Sequence, residues 1–393
     1  MKILFVHEVS WFSKVVYEIH DFPELLSLSG NDVSFLEFEE HKPGARWKSV
    51  ESIESRSHSG STVNVISPPH VFSGLIRRLA ATIIQPLTFI KLLKRIQPDV
   101  VVTYSIQTSG WQVVSICRRR EIPVMVRAID VSHKLRKSRF EAAIKKAERF
   151  VYSNADHVCA NNEALRQYCI SLGASPDRSS VIYPGIDTAR FYPAQPRQDL
   201  QDELGIKPTD NVLLFMGTIF RFSGLTEILA DLGPALHKNP TLKFLILGEG
   251  EDFIPLQRLV ESLGLQHQVI MPGRIEYDIL ADYLRLGHVA LLPFRPELVT
   301  HCALPGKVLQ YLACGLPTIA TPLNGLQSMI APDKGVLYAN NLKEMAIIAE
   351  QLSSDSQHRN LLSTQGIELM NSHCNWQVQM RLFEELLGRL THA

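Results

Sequence analysis

NVLLFMGTIFRFSGLTEILADLGPALHKNPTLKFLILGEG, residues 211–250, reads as one strand–helix–strand unit. The apolar run 211–216 closes on Gly217, residues 224–239 carry apolar side chains at helical spacing, and 242–247 is a second apolar run closing on Gly248-Glu249-Gly250. Near-continuous apolar strands flanking a helix mark a parallel sheet covered on both faces. Glycine at a strand end tolerates positive φ and lets a ligand approach the backbone. One such glycine is an ordinary turn, but Gly217, Gly248, Gly250, Gly273 and Gly325 each follow a strand of the same half. Helix N-termini at that edge offer free amides and a positive dipole end, which suits phosphate.

The pattern extends in both directions. Downstream, QVIMPG (268–273), HVALLPF (288–294) and LPTIATPLNG (316–325) alternate with helical segments. Upstream, MKILFVH (1–7), DVSFLEF (32–38), TVNVIS (62–67), PDVVVTYS (98–105), IPVMVRAID (122–130), DHVCAN (156–161) and SVIYPGID (180–187) do the same, with a long helical region at 71–97 interrupted by Pro86. Residues 188–210 hold three prolines and no apolar strand, and read as a linker. The expected fold is α/β, with two Rossmann-like domains, 1–187 and 211–375, facing a cleft. A final helix, 376–393, packs back on the first through Leu382, Leu386, Leu387 and Leu390.

Composition bounds the function. The 393 residues are 45% apolar and 20% charged, which excludes a disordered chain. Forty basic and forty acidic groups balance, which argues against a nucleic-acid binder. Residues 71–150 nevertheless hold 16 basic against five acidic groups. The six cysteines form no CxxC pair and no metal-ligand spacing, so no metal site is expected. The N-terminus reads as a first strand without a signal-cleavage region. The apolar stretch 71–93 is cut by Arg77, Arg78 and Lys91 to less than a spanning helix needs. A cytoplasmic protein, soluble or peripheral on the inner membrane face, is expected.

HCALPGKVLQYLACGLPTIATPLNG (301–325) is the most informative segment. Pro305 suits a first helical turn, and Gly306 allows close approach. Lys307 follows in that turn, where a cation is unfavourable unless an anion binds there. Gln310, three residues on, shares its helix face. The plain alternative is a surface lysine beside a solvated glutamine.

The order of these segments resembles retaining glycosyltransferases of the family 4 type, which have the GT-B architecture. SVIYPGIDTARFYP is similar to the family's domain-crossing signature, and ADHVCANNEALRQYCISLGA to the segment before it. LKFLILGEG, VIMPGRI, HVALLPF and LPGKVLQYLACGLPTIAT resemble its nucleotide-sugar domain in order. The resemblance implies transfer of a sugar from a nucleotide-sugar donor to a carbohydrate or lipid-linked acceptor hydroxyl with retention, without a cofactor. It implies donor binding by Gly217, Thr218, Ser223, Gly248, Glu249, Gly250, Arg274, Pro305, Gly306 and Gln310, with Arg221 and Lys307 on the diphosphate. Gln310 falls at the second Glu of the family's paired-Glu motif, and Cys302 at the first. Thr218 and Ser223 replace the usual Arg and Lys, and Trp11-Phe12-Ser13-Lys14 replaces a Gly-Gly acceptor loop. A degenerate binding or scaffold subunit, and a nucleotide-sugar epimerase of the same architecture, are the alternatives.

The family's acceptor-side His-Asp falls at Ile129-Asp130, and Asp130 and His133, the polar groups nearest the expected reaction centre, are the catalytic candidates there beside Arg221 and Lys307. They read equally as a helix cap and a loop histidine. The basic region 71–149 reads either as a solvated face or as a dock for anionic lipid headgroups.

Overall fold

The computed structural model describes all residues except 14–15, 39–45, 71–73, 135–139 and 393, and omits the side chains of 74–79. The chain forms two compact units, residues 1–184 with 377–393, and residues 185–376.

The first unit is built on eight strands: β1 (Lys2–Val6), β2 (Asp32–Leu36), β3 (Val50–Ile53), β4 (Asn64–Ser67), β5 (Val100–Thr103), β6 (Val124–Ala128), β7 (His157–Ala160) and β8 (Ser179–Val181). Their order is β3-β4-β2-β1-β5-β6-β7-β8, parallel throughout except for the antiparallel edge pair β3–β4. The central strands are buried along their length, as a sheet covered on both faces requires. β3 escapes the sequence reading because VESI is a short, largely exposed edge strand with no apolar run.

Pro86 does not interrupt the long helix, which runs unbroken from Gly74 to Ile96. Proline lacks the N–H that would have bonded the carbonyl four residues back. The side chain of Gln112, on the neighbouring helix Gly110–Arg119, donates to that carbonyl of Thr82 at 3.1 Å. The helix Trp376–Thr391 buries Met380, Phe383, Leu386 and Leu387 in the first unit, with Phe383 stacked on Phe22 at 4.3 Å. Leu382, expected on that face, is 38% exposed, and Phe383 takes its place.

The second unit carries β9 (Asn211–Met216), β10 (Leu242–Leu247), β11 (Val269–Gly273), β12 (Val289–Leu292), β13 (Thr318–Ala320) and β14 (Val336–Tyr338). Their order is β11-β10-β9-β12-β13-β14, and every pair is parallel. The stretch read as a linker, 188–210, belongs to this unit. It contains the helix Gln198–Leu204, and Arg190 and Arg197 tie it to Asp278 and Asp282 at 2.7 and 3.1 Å.

The strand order reverses between β1 and β5 in the first sheet and between β9 and β12 in the second. The crevice beyond the carboxyl ends of the strands at such a point is where open α/β sheets hold ligands.

Candidate functional site

The β9–β12 switch point is lined by backbone at close quarters. Gly217 follows β9 at φ +133° and Gly248 follows β10 at φ +136°. A Cβ on Gly248 would lie 2.9 Å from the carbonyl carbon of Gly217, and one on Gly250 2.7 Å from the amide of Ile219. The loops after β9 and β10 thus interlock so tightly that side chains are excluded. The amide of Ile219 donates to the carbonyl of Glu249 at 2.9 Å, and that of Gly248 to Gly273 at 2.7 Å.

Lys307 lies across Gly217. A Cβ on that glycine would fall 2.9 Å from the lysine Cε and closer still to Nζ. Nζ stands 4.6 Å from the ring centroid of Phe215 and 4.8 Å from that of Phe294. No carboxylate among the described residues pairs with it. Burial pushes its ammonium down to about 7. A lysine half-buried between two rings with no counter-ion is a place for an anion: the rings attract the cation weakly while withholding the water that would solvate it.

The helix Gly306–Ala313 that carries Lys307 has Pro305 as its N-cap, one position earlier than a first-turn proline. Among the described residues the first backbone bond at this end is from the amide of Val308 to the carbonyl of Pro305, 2.9 Å, so the amides of Gly306 and Lys307 have no intrahelical acceptor. A Cβ on Gly306 would meet nothing within 4 Å, so the approach to those amides is open. Tyr311 anchors the helix to the sheet: its buried hydroxyl accepts from the amide of Met216 at 2.6 Å and donates to the Met216 carbonyl at 3.2 Å. Gln310 is half-buried, and its carboxamide has no partner among the described residues.

The remaining donor-side candidates divide. Thr218, Glu249 and Arg274 are exposed at the same sheet edge, with Arg274 3.9 Å from Glu276. Arg221 is exposed, and lines a hollow of about 130 Å³ with Phe220, Glu227, Asp252 and Arg295. Ser223 does not face a ligand: it is 1% exposed, and its hydroxyl turns back to the carbonyl of Phe220 at 2.6 Å. Cys302 is buried, and burial pushes its thiol up to about 11, so it supplies no carboxylate-like charge.

At the switch point of the first sheet, Glu8 joins the ends of β1 and β5. Its carboxylate accepts the amides of Gln107, Thr108 and Ser109 at 3.1, 2.6 and 2.9 Å. Trp11 of the expected acceptor loop is fully buried, and Lys14 lies outside the described residues. Asp130, beyond β6, is half-buried. Burial first, and then the carboxylate of Glu18, push Asp130 up to about 7. Behind it, the buried Arg127 holds Glu18 in a two-pronged pair, both bonds 2.8 Å, and gives its remaining nitrogen to the carbonyls of Ala160 and Ile182. His133 is not free for chemistry at Nδ1, which lies 2.7 Å from Glu148 and 3.0 Å from the Tyr168 hydroxyl in a buried cluster.

Two family models match the chain: one described as Glycosyltransferase Family 4 over residues 28–190, the other as Glycosyl transferases group 1 over residues 210–355. The chain belongs to the family 4 glycosyltransferases. Among relatives of this glycosyltransferase, a D-inositol 3-phosphate glycosyltransferase of Kineococcus radiotolerans is 31% identical over 196 residues, 47% of this chain and 44% of the relative. The chain spans about half the length of the curated relatives it matches. Sucrose-phosphate synthase from Thermosynechococcus elongatus superposes with a TM-score of 0.81 at 17% identity over 100% of both chains. Anabaena HepE in complex with UDP-glucose superposes at 0.74 and 17% identity, over 99% of this chain and 100% of that one. The glycosyltransferase therefore has the GT-B fold.

Three features of the two candidate sites were invisible in the sequence. The Phe215 and Phe294 platform and the Tyr311 anchor depend on residues far apart in the chain. The Glu18–Arg127 pair spans 109 residues. No helix among the described residues is long and apolar enough to cross a membrane, and none of their His, Cys, Asp or Glu side chains form a group of three or more that could hold a metal.

Proposed function

We propose that the chain transfers a sugar from a nucleotide-sugar donor to an acceptor hydroxyl with retention of configuration, in the synthesis of a glycan, polysaccharide or glycolipid. The observation that carries this reading is the unpaired Lys307 ammonium held against Gly217, beside the free amides of Gly306 and Lys307. Relatives named as glycosyltransferases and a neighbour with UDP-glucose support it.

In this reading the second unit binds the donor and the first unit the acceptor. The diphosphate lies on Lys307 and the helix amides, with Arg221 as a second cation and Gln310 accepting ribose hydroxyls. The bond from the anomeric carbon to the phosphate oxygen breaks, and the acceptor oxygen bonds to the same face of that carbon. The acceptor's proton passes to the departing phosphate. Positive groups aimed at that developing charge supply the electrostatic stabilisation. No divalent ion is needed, so EDTA leaves turnover unchanged. Asp130 orients the acceptor hydroxyl.

A thermal-shift screen over UDP-, GDP- and ADP-sugars, followed by product analysis with acceptor extract, tests the proposal. A donor that binds only the folded chain raises its melting temperature. A bound donor with no transfer to any acceptor would favour a binding subunit.

The acceptor side is proposed to dock on an anionic membrane surface, in keeping with a cytoplasmic, peripheral protein. Ile83, Leu87 and Trp111 are 66%, 55% and 48% exposed on neighbouring helices, followed along the first helix by exposed Lys91, Lys94 and Arg95. Co-sedimentation with liposomes that rises with anionic lipid and falls with salt supports this, because salt screens the charges. Binding indifferent to both overturns it.

A further inference from the structure

The first unit holds a hollow of mixed charge at the amino ends of its strands, the opposite edge of the sheet from Asp130. It measures about 530 Å³ and is bounded by Arg118, Ile122, Pro123, His157, Arg178 and Leu390, with Glu121 and Asp156 also in its wall. Ile122 and Pro123 precede β6, Asp156 and His157 open β7, and Arg178 precedes β8. Leu390 of the final helix lines one side, and Arg389, next to it, lines a separate hollow of about 420 Å³ with Glu385, Gly388 and His392.

The charges here are unevenly satisfied. Arg118 bonds the Asn154 side chain, and Arg166 pairs with Glu163 at 3.0 Å. The guanidinium groups of Arg178 and Arg389 neither donate a hydrogen bond nor meet a carboxylate among the described residues. Asp156 spends one oxygen on the amide of Val124 at 2.8 Å, and Glu121 is the other carboxylate of the wall. His157 lies between these groups with Nε2 2.8 Å from the Ser180 hydroxyl. Burial first, and then Arg389, Arg166 and Arg178, press its imidazole down to about 4. A hollow with the unpaired Arg178 guanidinium and a partly buried imidazole in its wall, apolar side chains beside them, and Arg389 acting on that imidazole from the neighbouring helix accepts an anion with a compact body. Arginine forks match phosphate oxygens in pairs.

We infer that this hollow is a binding site for a phosphate-bearing small molecule, held by Arg178, Arg389 and His157 and seated on Ile122, Pro123 and Leu390. Because the final helix forms one wall, occupancy tightens that helix onto the first unit. The site is independent of the donor-side reading.

The imidazole of His157 reports on the site directly. Its NMR titration is followed in the full chain with and without inorganic phosphate, and then with a hexose phosphate, with H157N identifying the signal. Bound phosphate brings a negative charge beside the ring, and the titration midpoint should rise by about one pH unit or more, the size expected of an opposite charge at ~4–6 Å. The rise should vanish in the R178Q/R389Q double variant and persist in K307A, whose lesion is in the other unit. Tighter binding of the hexose phosphate than of phosphate would show that the apolar side chains are used. No rise with either probe, or an equal rise in R178Q/R389Q, overturns the inference.

Discussion

Lys307 and Gly217 claim the same space: the lysine head lies where a side chain on the glycine would have to be. Gly217 also sits at φ +133°, a backbone region that side chains rarely adopt. The glycine is therefore the seat of the lysine, and the two are expected to fail together. G217A should keep the fold of the second unit largely intact while displacing the ammonium. If that ammonium makes one charge-assisted bond to a diphosphate, worth ~1.5–3 kcal/mol, nucleotide affinity falls roughly 10–100-fold. Calorimetric titration of G217A and K307A with the best nucleotide checks this; wild-type affinity in both would remove the donor site from this edge.

The depressed pKa of Lys307 gives a pH signature with a definite sign. Its folded value, about 7, lies below the ordinary lysine value of 10.5. Between the two the unfolded chain binds more protons, so stability contributed at this site rises with pH across that window. Donor binding runs the other way. A diphosphate recruits a proton to the amine, so affinity should weaken as pH rises above about 7. Titrations near pH 8 in buffers of different ionisation heat should reveal proton uptake in the wild type and none in K307M.

Gln310 has the simplest test. Its carboxamide has no partner among the described residues, so a role is sought in a ligand. Q310E restores a charged acceptor of nearly the same shape and should hold or tighten donor binding. Q310A should lose roughly 0.5–1.5 kcal/mol per neutral hydrogen bond removed. Equal affinity in all three proteins would mean the residue touches no donor.

Asp130 offers a stability measurement that needs no substrate. Its folded pKa, about 7, is raised from 3.8 by burial and by Glu18. Between those values the folded chain binds more protons, so this contribution is fully present below about pH 4 and is lost as pH rises through 7. D130N should therefore stabilise the first unit at pH 8 and do little at pH 4.5, in denaturant titrations at the two pH values. The same stabilisation at both would mean the carboxyl is not buried as a charge.

The buried pair behind Asp130 should be far less forgiving. Arg127 and Glu18 satisfy each other in the core, and removing one leaves the other charge alone. R127M should cost about 3–5 kcal/mol, whereas the double variant R127M/E18M should recover much of it. Chemical denaturation of the three proteins decides whether the pair is coupled.

The strand alternation and both parallel sheets were legible because central strands are apolar runs that no solvent face interrupts. VESI at β3 and the three-residue β14 lacked such runs, and the helix Ser356–His373 buries few of its side chains. Lys307 announced itself as a cation in a first helical turn, a local conflict that the chain records directly. The rings that desolvate it did not, since Phe215 and Phe294 reach it only through the sheet. Ser223 and His133 looked available because a hydroxyl turned into its own loop, or an imidazole held by Glu148, is a matter of rotamer and distant neighbours.

The chain enters the first unit, leaves it at Pro184, and returns only at Gln377. During synthesis, that unit must wait for nearly two hundred intervening residues before Phe383 can cover Phe22. Domains usually fold as units in the order they emerge. Here the second, contiguous unit is the one able to complete itself first, while the first stays open along one apolar face. The nascent chain thus has a built-in interval in which Phe22 of the helix Glu18–Leu28 is uncovered, and it closes once the helix Trp376–Thr391 has emerged.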